Sequence, residues 1–259
     1  MALPSKITLY DVEFTLKEKT LSPYSIRLML LLGYKNIAYE TVWISFPDVE
    51  ATAKAVNALP TFTKADGTPG YTIPFITASF PDKSTIAISD SLRIAQFIET
   101  TYPDPEDKIM PSNARVFQSM FTKYMTERIY GSINKISMPL VISALPESAG
   151  KWIVATRKNT IGKTVDEIAP QDETSVTEAW KGIEAAFDDL AAHLDSGGEG
   201  NFRVTGSASY AEFELVSVLN FVKRLSPDGW NRLEVRNGGR WGKLMDLPLY
   251  KKLVPANRV

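Results

Sequence analysis

Ser22-Pro23-Tyr24-Ser25-Ile26-Arg27-Leu28-Met29-Leu30-Leu31-Leu32-Gly33 reads as one short, buried helix. Serine accepts from the first free backbone N–H groups, and proline at the first helical position gives up a donor that has no partner there. The run from Ile26 to Leu32 is mostly apolar, and Gly33 suits the C-terminal cap. On either side, Ile7-Thr8-Leu9-Tyr10-Asp11-Val12 and Tyr39-Glu40-Thr41-Val42-Trp43-Ile44 are β-branched and aromatic and read as strands. Strand, helix and strand in this order make a βαβ unit.

Further along, Val49 to Val56 fits a short helix, and Asp66-Gly67-Thr68-Pro69-Gly70 is turn chemistry. Tyr71-Thr72-Ile73-Pro74-Phe75-Ile76 is an apolar run whose proline must open the strand or sit at an edge. Thr85-Ile86-Ala87-Ile88 is a second short strand, so the two are expected to form a hairpin. Ser89-Asp90-Ser91 supplies capping residues before Leu92, Ile94, Ala95, Phe97 and Ile98 at helical spacing. The first part thus reads β-α-β-(α)-β-β-α. Tyr102-Pro103-Asp104-Pro105-Glu106-Asp107 looks like a boundary, giving expected domains 1–104 and 105–259.

Beyond it the period becomes helical. Phe117, Met120, Phe121 and Tyr124 share one face, and Val176, Trp180, Ile183, Phe187, Leu190 and Leu194 make a second stripe ended by Ser196-Gly197-Gly198-Glu199-Gly200. Ser209-Tyr210-Ala211-Glu212 has the pattern of a capping box. Residues 145–174 are polar and mixed and read as a long connection with at most a short helix.

Composition excludes several classes. In 259 residues, 29 Lys+Arg face 30 Asp+Glu, for a net charge of −1. Neither nucleic acid nor an anionic membrane surface is an expected partner. No 18-residue apolar window and no long apolar N-terminal stretch occur, so the expectation is a cytoplasmic protein. Cysteine is absent, which removes disulfides, thiolate metal ligands and a protein thiol nucleophile. One histidine, His193, leaves no multi-histidine metal site, and no metal is expected. A Ser-His-Asp hydrolase would have to use His193, and it lacks the Gly-x-Ser-x-Gly elbow.

Three places carry possible chemistry. Ser22 is a helix cap, but a hydroxyl beside the partial positive charge of a helix N-terminus also stabilises an anion, and a thiolate brought there would have its pKa lowered. Ser25, nearly one turn on, is the rival. Pro74 either simply opens a strand or forms a cis bond that leaves the Ile73 backbone free to pair with an extended peptide. Asp90 and Ser91 either cap a helix or hold the ammonium and carboxylate of a zwitterionic amino acid.

In this order the motifs resemble the cytosolic glutathione transferase superfamily. Ser22-Pro23-Tyr24-Ser25 stands where the family has Ser, Tyr or Cys at the start of its first helix. Ile73-Pro74 stands for its Val-Pro pair, Asp90-Ser91 for its acidic-Ser pair, and Ser209 to Glu212 for its helical-domain capping box. Ile7 to Asp11, Tyr39 to Ile44, Pro47-Asp48-Val49-Glu50 and Tyr71 to Pro74 look closest to the fungal serine-type FuA class, which is related to bacterial β-etherases. The resemblance implies a thioredoxin-like N-terminal domain that binds glutathione and an all-helical C-terminal domain. It implies Ser22 as the catalytic hydroxyl, Ile73 and Pro74 as partners of the cysteinyl backbone, and Asp90 and Ser91 as holders of the γ-glutamyl head. The second substrate would be a small apolar aromatic molecule lying between the domains. Candidates for its wall are Phe117, Phe121, Tyr124 and Met125, each of which also fits a core position. A homodimer is implied as well. Three outcomes stay open at this point: conjugation or aryl-ether cleavage, ligandin-type carriage of aromatic compounds with little turnover, and a vestigial site with no glutathione affinity. The departures are long gaps at 44–71 and 78–84 and Thr72 before Ile73, where a basic or polar contact is common.

Overall fold

The structure is a computed structural model describing residues 2–103, 109–198 and 203–253. Residues 104–107 of the expected boundary, and Glu199 and Gly200 of the expected helix end, lie outside these. The chain divides into two compact units. The first joins the described residues up to 103 with 142–164, and the second joins 109–141 with those from 165 on. Residues 142–164 thus group with the first unit although they lie beyond the expected cut after 104.

The first unit opens with strand β1 (Lys6–Val12), helix α1 (Pro23–Tyr34), strand β2 (Glu40–Ile44), a 3-10 turn at Phe46–Asp48 and helix α2 (Val49–Ala55). Two-residue strands β3 (Phe62–Thr63) and β4 (Pro69–Gly70) then make a small hairpin. Strands β5 (Phe75–Ser79) and β6 (Thr85–Ser89) follow, then helix α3 (Ser91–Thr101). The main sheet has the order β2-β1-β5-β6. β1 is parallel to β2 and antiparallel to β5, which is antiparallel to β6. This is the expected thioredoxin-like arrangement. Ile26, Leu28, Leu30, Leu31 and Leu32 of α1 are buried, as are Ile94, Ala95 and Ile98 of α3, and the two helices pack together. Contrary to expectation, Gly33 lies inside α1. The helix ends one residue later, and Asn36 takes the left-handed conformation.

Then come α4 (Arg115–Tyr124), a π-helical stretch Met125–Tyr130, and α5 (Gly131–Ser143). The stretch expected to be a connection instead holds α6 (Glu147–Ile161) and α7 (Val165–Ile168). The pattern hides α6 because its buried residues are Ala149, Gly150 and Ile153, whereas Trp152 and Val154 are exposed. A stripe made of small residues carries little hydrophobic signal. Gly150 lies where a Cβ would come 3.2 Å from the Ile142 carbonyl oxygen, and Gly162 (φ 80°) caps the helix end. α6 packs on the Phe46–Asp48 turn, and the Ala65 N–H donates to the Thr160 carbonyl at 3.1 Å.

The helical unit continues with α8 (Glu173–Asp195), α9 (Tyr210–Leu225), α10 (Pro227–Glu234), α11 (Arg236–Met245) and α12 (Pro248–Leu253). α11 is broken at Asn237–Gly239, which are all left-handed. The stripe Ile183, Phe187, Leu190 and Leu194 of α8 is buried, and α9 is buried through most of its length. No helix among the described residues is long and apolar enough to cross a membrane.

The capping box read at Ser209 is only half formed. The Glu212 N–H donates to Ser209 Oγ at 3.2 Å, but the Glu212 carboxylate turns instead to Arg203 and the Tyr250 hydroxyl. Glu212 is fully buried, and Arg203, whose Nη2 lies 2.6 Å away, is its cationic partner. The reciprocal box sits at the start of α8, between Asp172, inside the stretch read as a connection, and Ser175 just beyond it. Arg203→Met is expected to leave a buried charge without its cation and to destabilise the chain by about 3 kcal/mol, checked by urea unfolding against wild type.

Candidate functional site

Strand register brings the sequence candidates of the first unit to one end of its sheet. Tyr10, near the end of β1, pairs with Phe75, the first residue of β5, and Phe75 pairs with Ser89, the last residue of β6. The Tyr10 and Phe75 rings stack at 4.7 Å, with 14° between their planes. Neighbouring strands lie about 4.8 Å apart. The loop leaving β1, the Ile73–Pro74 peptide before β5 and the Asp90 turn after β6 therefore emerge on the same side. Two helix N-termini, those of α1 and α3, begin there.

Ser22 is the N-cap of α1 and is 8% exposed. Its Oγ accepts a long bond, 3.4 Å, from the Ser25 N–H, so its own proton stays free to be donated. No acceptor for that proton is found among the described residues. Ser25 differs. It is fully buried, and its hydroxyl donates to Asp11 Oδ1 at 2.7 Å. The two serines therefore differ in proton count: Ser25 has spent its proton on Asp11, and Ser22 has not spent its own on any described residue.

The Ile73–Pro74 peptide is cis. Pro74 is buried and Ile73 half-buried. The Thr72 hydroxyl lies 2.8 Å from that of Thr61. Asp90 has φ 74° and ψ 121°, a conformation that costs a residue with a Cβ on the order of 1–3 kcal/mol. Its Oδ1 accepts from the N–H groups of both Leu92 and Arg93 at 3.0 Å. Half of the carboxylate is thus committed to capping α3. Ser91 is buried.

In the helical unit, Phe117 is 45% exposed and stacks on the buried Phe121, with ring centroids 5.8 Å apart. Met125, at the start of the π-helical stretch, is completely buried. The Tyr124 hydroxyl donates to Asp189 Oδ2 at 2.8 Å. Burial, and then that carboxylate, push the phenol far above its ordinary range, so it stays neutral. His193 is exposed and meets Tyr124 edge to face.

Sequence reading overlooked Asp11 and Thr20. Asp11 is 0% exposed at the end of β1. Its Oδ1 accepts from the Val12 N–H at 2.8 Å and from Ser25, and its Oδ2 accepts from the Thr20 hydroxyl at 2.7 Å. The one carboxylate of β1, set between Tyr10 and Val12, was the available signal. Burial raises its pKa from 3.8 to about 6, against the lowering effect of the three hydrogen bonds. The folded chain therefore keeps a proton that the unfolded chain has already released. Stability falls as pH rises from about 4 to 6 and is level above that, a loss of up to ~3 kcal/mol from this group. Asp11→Asn, which has nothing to ionise there, is expected to lack this slope in urea unfolding followed across that range.

Comparison with known proteins covers both units. The family model for the glutathione S-transferase N-terminal domain matches residues 21–101, and that for the C-terminal domain matches 116–247. The glutathione S-transferase-like protein ustS of Aspergillus flavus is 26% identical over 250 residues, covering 93% of this chain and 88% of its own. The crystal structure of CsGST63524 of Ceriporiopsis subvermispora, in complex with glutathione, superposes with a TM-score of 0.87 at 28% identity, over 98% of this chain and all of the other. GSTFuA2 of Phanerochaete chrysosporium superposes with a TM-score of 0.84 at 25% identity, over 98% of this chain and all of its own. The chain thus has fungal FuA-class enzymes among its structural neighbours, belongs to the glutathione S-transferase family and is a glutathione transferase.

Proposed function

We propose that this enzyme lowers the thiol pKa of bound glutathione through a hydrogen bond from the Ser22 hydroxyl. The observation that carries this is the uncommitted Ser22 proton at the N-terminus of α1, where partial positive charge favours an anion. Free thiol has a pKa near 8.5, so little thiolate is present at neutral pH, and lowering it by about one or two units makes the thiolate a substantial species. Ser22 is not the nucleophile. The thiol proton leaves to solvent, the sulfur forms a bond to an electrophilic carbon, and in a displacement the leaving group departs with its electron pair.

The remaining contacts follow the chemistry of the tripeptide. The Ile73 backbone beside Pro74 pairs with the cysteinyl residue. Ser91 and the free carboxylate oxygen of Asp90 hold the γ-glutamyl head. Two things support this: the strained Asp90 turn opens on the same sheet end as Ser22, and the relative CsGST63524 carries glutathione in its crystal. The second substrate is an apolar aromatic electrophile, taken by conjugation or aryl-ether cleavage. Phe117 and Tyr124 form its wall, with Phe121 and Met125 packed behind them. A homodimer in the cytoplasm completes the reading.

Ser22→Ala is expected to bind glutathione with similar affinity by calorimetry. Thiolate absorbance of the complex and conjugation rate at mildly acidic pH are expected to fall roughly tenfold, the effect of about one pKa unit. Unchanged turnover removes Ser22 from the mechanism. Displacement of an aromatic dye with no turnover of any electrophile points to a carrier instead.

A further inference from the structure

Ser22 stands between two residues tied to the same buried carboxylate. Thr20, two positions before it, donates to Asp11 Oδ2 at 2.7 Å, and Ser25, three positions after it, donates to Oδ1 at 2.7 Å. Asp11 itself is fixed at the end of β1, where it pairs with Trp43 of β2. Its Oδ1 also takes the N–H of Val12. The loop between β1 and α1 has little regular structure. It closes on itself through Phe14 N–H to the Lys19 carbonyl, with Lys19 left-handed, and its Thr15 N–H donates to the Ala144 carbonyl. Phe14, Leu21 and Pro23 add buried apolar contact on either side. Apolar contact is not directional, whereas two hydroxyl bonds to one carboxylate set both where the first helical turn sits and how it is rotated.

We propose that Asp11 is a positioning residue for Ser22, holding the flanking Thr20 and Ser25 so that the Ser22 hydroxyl points its proton out of the helix mouth. This rests on the reading of Ser22 as the donor to the glutathione sulfur. Asp11 touches neither the tripeptide nor its sulfur. It acts by geometry in two ways. It fixes the turn that carries Ser22, and by taking the proton of Ser25 it leaves Ser22, of the two serines in that turn, the one able to donate outward. A few tenths of an ångström matter here, because a hydrogen bond weakens steeply as its angle opens.

The geometry also says which substitution is tolerated. In Asp11→Asn the amide oxygen can still accept from Val12 and Ser25, and the amide N–H₂ can donate to the Thr20 hydroxyl, which accepts as readily as it donates. Asparagine keeps the three contacts without the charge, and alanine keeps neither.

The test is a double-mutant cycle on the full-length enzyme with glutathione, reading thiolate absorbance of the complex near neutral pH, KM for glutathione, and kcat with an aromatic electrophile. Asp11→Ala is expected to lower bound thiolate and kcat about threefold to tenfold with KM changed much less, and Asp11→Asn is expected to recover most of the loss. Ser22→Ala combined with Asp11→Ala is expected to be no worse than Ser22→Ala alone, because Asp11 has no other route to the sulfur. If Asp11→Ala does not fold, Thr20→Val removes one of the two hydroxyl bonds to Asp11 and is expected to show a smaller loss with the same non-additivity. Losses that add in the double variant, no loss of thiolate in Asp11→Ala or its substitute, or an Asp11→Asn as poor as alanine would each overturn the proposal. A Ser22→Ala enzyme with unchanged thiolate removes the Ser22 reading and this one with it. A lowered thiolate there, beside an unaffected Asp11 variant, removes this one only.

Discussion

β1 is paired on both sides, and that pairing governs where the candidate residues of the first unit fall. Tyr10 opposite Phe75 on one side and Asp11 opposite Trp43 on the other leave no freedom of register. A slip of one residue would send every side chain of the strand to the opposite face. Because β5 runs against β1, its beginning lies beside the end of β1. Because β6 runs against β5, its end lies there too. The segments that carry Ser22, Pro74 and Asp90, spread over some seventy positions of sequence, are brought to one end of the sheet by this strand pairing.

Within that frame, Asp11 shows a trade between stability and order. Burying a carboxylate is unfavourable, which is why its proton affinity rises. An apolar residue there would pack at lower cost but could not gather the Thr20 and Ser25 hydroxyls. The Glu212 carboxylate makes a similar trade in the helical unit, where Arg203 and Tyr250 converge on it at the start of α9. In both places a buried charge joins segments that are distant in sequence or lack regular backbone bonds.

What could be read from residues alone was what depends on near neighbours. The Ser-Pro start of α1, the capping aspartate of α3, the β5–β6 hairpin and the stripe of α8 all announce themselves within a few residues. Gly33 misled because a glycine within an apolar run can simply pack inside the helix, and the left-handed exit fell to Asn36. α6 was missed because small residues, Ala149 and Gly150, fill most of its buried stripe, Gly150 lying close against Ile142. The strands β3 and β4 are too short to show any alternation. Ser22 and Ser25 could not be separated either. What separates them is the destination of one proton, and that destination, Asp11, is set by tertiary structure.

The return of residues 142–164 to the first unit bears on how such enzymes can be shuffled. Ala144 holds the loop at Thr15, Thr160 holds Ala65, and α6 covers the turn at Phe46–Asp48, so part of the support for the thioredoxin-like half is encoded well past its own sheet. A chimera made by a single crossover near position 104 would marry that half to a foreign α6. Exchange between relatives that respects the interleaving needs additional junctions, at each side of the returning segment.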